Sequence, residues 1–173
     1  MQMEKVIKIG SRSLILLLVL VAMASCGEEK KQKLKIGDQA PDFTVRAMNG
    51  ESIHLADWKS NPVILRFWDT ECKYCRADTP VFNEYFEKYK EKGLRVVYIN
   101  TGKESVEVVA DFIKDLKIPF PVVMEKGDQV ARLFNVRIVP QTVIIDPEQT
   151  IIAAILGGVG EAELKELVGK YLD

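Results

Sequence analysis

This chain is poor in metal-binding side chains and has no excess of either charge. It carries one histidine, His54, and three cysteines, Cys26, Cys72 and Cys75. A structural zinc usually takes four Cys or His ligands, so that set leaves little beyond the close Cys72/Cys75 pair to complete one. The 24 basic and 25 acidic residues give a net charge of −1, with no basic surplus for nucleic acid. No internal repeat or low-complexity tract is evident. The longest apolar run, Leu14 to Ala24, is too short for a comfortable membrane span. What remains, 173 residues of which 47% are hydrophobic, suits one soluble domain with a short appendage.

The informative stretch is residues 68–80, WDTECKYCRADTP. The apolar run Val63–Trp68 leads in as a strand, and a helical pattern leads out. A CxxC where a strand passes into a helix is the layout of a dithiol–disulfide site. The free N–H groups and dipole of a helix start favour negative charge, and the thiolate is the form of cysteine that attacks disulfides. The spacing puts Cys72 at the helix tip as nucleophile. Cys75, nearly a turn further in, is shielded and resolves the mixed disulfide. Asp78, Phe82, Tyr85 or Phe86, and Tyr89 continue the face of Cys75 at helical spacing. Asp78 therefore points inward beside Cys75, placed either to exchange a proton with it or simply to pair with a cation. A purely structural disulfide here would close so short a loop that it would stabilise little.

Lys5, Lys8 and Arg12 precede the apolar Leu14–Ala24 run, the form of a secretion signal. Its end, Met23-Ala24-Ser25-Cys26-Gly27, resembles the lipobox of bacterial lipoproteins. That resemblance implies a signal peptide over 1–25 and a lipidated Cys26. It places the domain outside the cytoplasmic membrane, tethered to it through a lipid. Residues 26–36 then form a charged linker, and 37–173 the folded domain.

In that domain, Phe43–Val45 and Ser52–Leu55 flank Asn49-Gly50 and predict a hairpin, with His54 at its surface or edge. Val63–Trp68 is apolar enough to be covered on both faces. Arg66 interrupts it on the face of Ile64 and Trp68, and a charge there needs a partner. The helix after the CxxC runs to about Lys90 and is expected to kink near Arg76–Pro80. Gly93 closes it. Leu94–Ile99 is the next strand. Thr101–Glu104 fits a capping box, ahead of a helical stripe of Val106, Val109, Ala110, Ile113 and Leu116. A short strand at Val122–Met124, a short helix from Asp128 to Phe134, strands at Thr142–Asp146 and Ile151–Leu156, and a last helix through Leu164, Leu167, Val168, Tyr171 and Leu172 complete the chain. Strands alternating with helices predict an α/β layered domain with a mixed central sheet.

The chain resembles the TlpA/ResA type of thioredoxin-fold thiol–disulfide oxidoreductases from Lys35 to Asp173. The resemblance rests on Gly37–Phe43, Phe67-Trp68 before the CxxC, Cys75-Arg76-Ala77-Asp78-Thr79-Pro80, and Val136 through Val139-Pro140-Gln141 to Asp146. It implies a thioredoxin-like fold with an N-terminal β-hairpin extension, and a cis Val139–Pro140 bond facing Cys72, whose backbone pairs with an extended substrate. It implies no cofactor and no metal. The partners it implies are protein disulfides, such as apocytochrome c, and a membrane-associated electron donor. Trp68, Arg66, Asp78 and Glu71 are the supporting residues. Glu71 stands where the family usually has Trp, and its charge should raise the Cys72 pKa, opposed by Lys73. Tyr74 replaces the usual Pro, and Asp78 a Glu. Arg66 is expected to pair with Asp78 and keep it ionised.

Other readings stay open. An oxidase or isomerase would run the same chemistry in the other direction. A thiol peroxidase of the peroxiredoxin kind is expected to have Thr where Asp69 stands. A copper-binding chaperone would use the thiolates for Cu(I), without a His or Met cluster to help. A non-catalytic docking module has no need of both cysteines.

Overall fold

The computed structural model describes residues 34–125 and 127–172. The signal segment, Cys26 and most of the linker lie outside them.

The hairpin forms as expected. β1 (Thr44–Arg46) and β2 (Ser52–His54) pair antiparallel, with Val45 opposite Ile53. A second sheet has five strands in the order β5-β4-β3-β6-β7. These are β3 (Val63–Trp68), β4 (Arg95–Asn100), β5 (Val122–Met124), β6 (Gln141–Ile145) and β7 (Ile151–Leu156). β3, β4 and β5 run parallel, whereas β6 and β7 are antiparallel to their neighbours. The sheet is mixed, as the sequence pattern requires.

β3 is central, and all six of its residues are buried. Its alternation divides the core in two. Ile64 and Trp68 face Phe82 and Tyr85 of α1 (Lys73–Tyr89), Val109 and Phe112 of α2 (Val106–Leu116), and Leu164 and Val168 of α4 (Glu161–Val168). Val63, Leu65 and Phe67 face Phe43, Ile53 and Phe134, together with Val130 and Ala131 of α3 (Gln129–Leu133). Each fully buried large apolar side chain contributes roughly 1.5–3 kcal/mol.

α1 continues through Pro80 as one helix to Tyr89. Local expectations fail in two places. α2 starts later than the capping-box reading allows: Ser105 is its N-cap and accepts from the Val108 N–H, so Glu104 lies outside the helix. The buried stripe of α2 is also rotated. Val106 is 57% exposed, whereas Phe112, missing from the expected stripe, is buried against Trp68 with ring centroids 4.3 Å apart. The aromatic surface of Trp68 selects that face, and a stripe drawn from aliphatic residues alone misses it. At the far end of α1, a 3-10 turn over Lys90–Lys92 closes on Gly93, whose φ of +96° suits a residue without a Cβ.

Candidate active site

β3 delivers the chain to the C-terminal edge of the sheet, and α1 begins there. Cys72 is the N-cap of α1, with extended backbone, and its Sγ accepts the Cys75 N–H at 3.1 Å. That N–H is one of the donors a helix start leaves free. It points at the sulfur that must carry negative charge when the pair is reduced. The two cysteines are joined in a disulfide with Cα atoms 5.2 Å apart. Cys72 is half-buried and Cys75 fully buried, so the geometry gives an incoming sulfur access to Cys72 rather than to Cys75.

One turn further along α1, Asp78 is also buried. Its Oδ2 accepts from Arg66 Nη2 at 2.5 Å and from the Val159 N–H at 3.1 Å. Arg66 is 0% exposed. It also donates to the Thr142 hydroxyl at 2.7 Å and the Gly157 carbonyl at 3.0 Å, and its guanidinium lies 5.2 Å from the Phe82 ring centroid. The expected pair is therefore present, within a larger network. Arg66 does not set the Asp78 carboxyl alone. Burial is the larger influence and pushes the carboxyl above its ordinary value, while the Arg66 charge and the Val159 N–H pull it back only in part. A carboxyl so raised sits closer to the range in which it can take a proton from a thiol.

The other expected residues separate by location. Trp68 is a core aromatic stacked on Phe112 and Tyr98, not a surface group. Glu71 is exposed next to Cys72. Tyr74, between the cysteines, is 64% exposed. Val139–Pro140 is cis. It lies at the start of β6, and because Phe67 pairs with Gln141 it sits level with the end of β3. His54 belongs elsewhere, bonded to Asp42 at 2.7 Å and Asp57 at 3.2 Å.

Two features escaped the sequence. Thr70, two residues before Cys72, donates its N–H and hydroxyl to Glu104 Oε1 at 2.7 and 2.8 Å. The Gly157–Val159 loop closes over Asp78, and a Cβ on Gly158 would stand 3.8 Å from Asp78 Oδ2. Neither contact leaves a periodic signal. Among the described residues, no group of three or more His, Cys, Asp or Glu is placed to hold a metal ion, and no helix is long and apolar enough to cross a membrane.

Comparison with known proteins places this geometry among redox proteins. The model of the AhpC/TSA family matches residues 36–154. The thiol–disulfide oxidoreductase ResA of Bacillus thuringiensis subsp. konkukian is 34% identical over 141 residues, covering 82% of this chain and 81% of the relative. ResA of Bacillus subtilis is 30% identical over 136 residues, covering 79% and 75%. Among solved structures, a putative thiol:disulfide interchange protein DsbE from Chlorobium tepidum superposes with a TM-score of 0.73 at 28% identity, covering 81% of this chain and 99% of that one. The thioredoxin domain of a Bacteroides vulgatus thiol–disulfide oxidoreductase gives 0.70 at 28% identity, with the same coverage.

Proposed function

The chain belongs to the AhpC/TSA family as a ResA-like thiol–disulfide oxidoreductase, and on that premise we propose that it works as a reductase of protein disulfides outside the cytoplasmic membrane. The Cys72 thiolate attacks one sulfur of a substrate disulfide. A Cys72–substrate disulfide forms, and the other substrate sulfur leaves as a thiolate and takes up a proton. Cys75 gives its proton to the Asp78 carboxylate and attacks Cys72 Sγ, and the second substrate sulfur leaves as a thiolate and takes up a proton while Asp78 releases its own to solvent. The substrate has then gained two electrons and two protons, and the protein is left with its Cys72–Cys75 disulfide. A membrane-associated dithiol donor returns the electrons.

The observation that carries the reducing direction is the charge at the helix tip. Glu71 is exposed beside Cys72, and Asp69, Glu71 and Glu104 line one hollow with Gly102 and Lys103. Strong oxidants stabilise their reduced thiolate. The Glu71 carboxylate next to Cys72 does the reverse, favouring the disulfide and so a low potential. Apocytochrome c and other envelope proteins are the substrates this direction suits. The tether reading is supported by Lys5, Lys8, Arg12 and the apolar Leu14–Ala24 run ahead of Cys26, and Cys26→Ser should release the protein from the membrane fraction.

The midpoint potential of the Cys72–Cys75 couple, measured in defined thiol buffers, tests the direction. A value of about −250 mV or lower supports a reductase, whereas one near −120 mV marks a strong oxidant and reverses the proposal. Cys75→Ala should accumulate mixed disulfides with substrate and Cys72→Ala should not turn over. Full turnover by Cys72→Ala refutes the assignment of the nucleophile.

A further inference from the structure

Glu104 is left without a role once α2 begins at Val106 with Ser105 as its cap. Its carboxylate reaches back across the ends of two neighbouring strands. β3 and β4 run parallel, Trp68 is level with Asn100, and the Thr101 N–H donates to the Trp68 carbonyl at 3.0 Å. The loops that leave these strands therefore lie side by side. Glu104 Oε1 joins them by accepting both the N–H and the hydroxyl of Thr70, a residue 34 positions away in the chain. Gly102 makes room for this arrangement, since a Cβ there would fall on the Glu104 carboxylate. Any side chain at 102 has to push that carboxylate off its place.

We propose that Glu104 is a positioning residue of the exchange reaction: its carboxylate holds the loop ahead of Cys72, so that the nucleophilic sulfur stays against the N-terminus of α1. The proposal rests on the reading of Cys72 as nucleophile. Only Glu71 separates the held Thr70 from Cys72. The Cys72 sulfur gains thiolate character only while it stays in line with the free helix N–H groups, of which it meets that of Cys75. A loop released at Thr70 lets the sulfur swing away, and the thiol then titrates higher and reacts more slowly. Burial pushes the Glu104 carboxyl up, but the Thr70 N–H and hydroxyl, with the Glu104 N–H and the Asn100 side chain, together more than offset this and hold it below its ordinary value. It is therefore ionised when it accepts these bonds at neutral pH.

Positioning and charge predict opposite signs, which makes the proposal testable. The assay is the rate of iodoacetamide alkylation of Cys72 in the reduced protein, followed site by site by mass spectrometry across pH. Glu104→Ala should slow the reaction roughly tenfold, the size of one charge-assisted hydrogen bond, and raise the Cys72 pKa. Glu104→Gln keeps an oxygen that can accept both Thr70 bonds and should restore a rate close to that of the unaltered protein. Gly102→Ala displaces the carboxylate without removing it and should act like Glu104→Ala, so a failure of the alanine variant to fold leaves the test intact. If Glu104→Ala and Glu104→Gln both lower the Cys72 pKa equally, the carboxylate acts by charge alone and the proposal is overturned. Unchanged rates in Glu104→Ala and Gly102→Ala overturn it as well. An unreactive Cys72 in the unaltered protein would instead overturn the nucleophile assignment beneath it.

Discussion

Removing Arg66 should expose how closely stability and acid–base chemistry are joined at this site. In Arg66→Met the apolar stem is replaced and the cation is lost. Asp78 then keeps one of its two donors to Oδ2, the Val159 N–H, while the Thr142 hydroxyl and the Gly157 carbonyl each lose a donor. Arg66 and Asp78 are 0% and 8% exposed, so water screens little of the change. Breaking a buried pair from one side costs about 3–5 kcal/mol, and each kcal/mol lowers the melting temperature of a domain this size by roughly 2–4 °C. A fall of roughly 10 °C is expected. The deficit should depend on pH with a definite sign. Asp78 is raised above 3.8 in the folded protein, so folding takes up a proton between the ordinary value and the raised one. Stability due to this group therefore falls as pH rises through that window. Without Arg66 the folded value rises further and the window widens, so the variant should be weakest near neutral pH and recover toward about pH 4. Asp78→Asn added to Arg66→Met removes the stranded charge and should regain part of the loss. The assay is thermal unfolding followed by circular dichroism at both pH values. A neutral-pH deficit under about 1 kcal/mol, or one equal at both pH values, refutes the reasoning.

Two other perturbations follow from the packing and the hairpin. Phe112→Ala removes a buried ring 4.3 Å from the Trp68 ring and should cost about 3–5 kcal/mol; denaturant unfolding checks it, and a loss near that of an exposed substitution contradicts the burial. His54 is raised above its ordinary value, chiefly by its bond to Asp42 and also by Asp57. Its contribution to stability is thus present below the ordinary histidine value of 6.5 and lost as pH rises through the folded one. The gap in melting temperature between the unaltered protein and His54→Ala should close as pH rises, and a gap that widens would contradict the sign.

Much of this protein could be read from its residues alone. The apolar run of β3, the CxxC where that strand becomes a helix, and the α1 face of Cys75, Asp78, Phe82 and Tyr85 are local patterns, fixed by the two- and 3.6-residue periods of strand and helix. The order of strands and helices follows from the same periods, and a lone cation at position 66 announces that it needs an anion. Periodicity carries no information about what meets across the fold. Only the tertiary structure set β3 between the parallel β4 and the antiparallel β6. It turned Phe112 rather than Val106 onto Trp68, and it supplied Thr142, Gly157 and Val159 to the Arg66–Asp78 pair. It also decided that burial outweighs Arg66 in setting the Asp78 carboxyl, since desolvation depends on everything packed around a group and not on its sequence neighbours. Glu104 is the sharpest case. Its spacing from Thr101 fits a helix cap, yet the neighbouring strand ends bring Thr70 to its carboxylate, and that contact depends on sheet register, which no local pattern encodes.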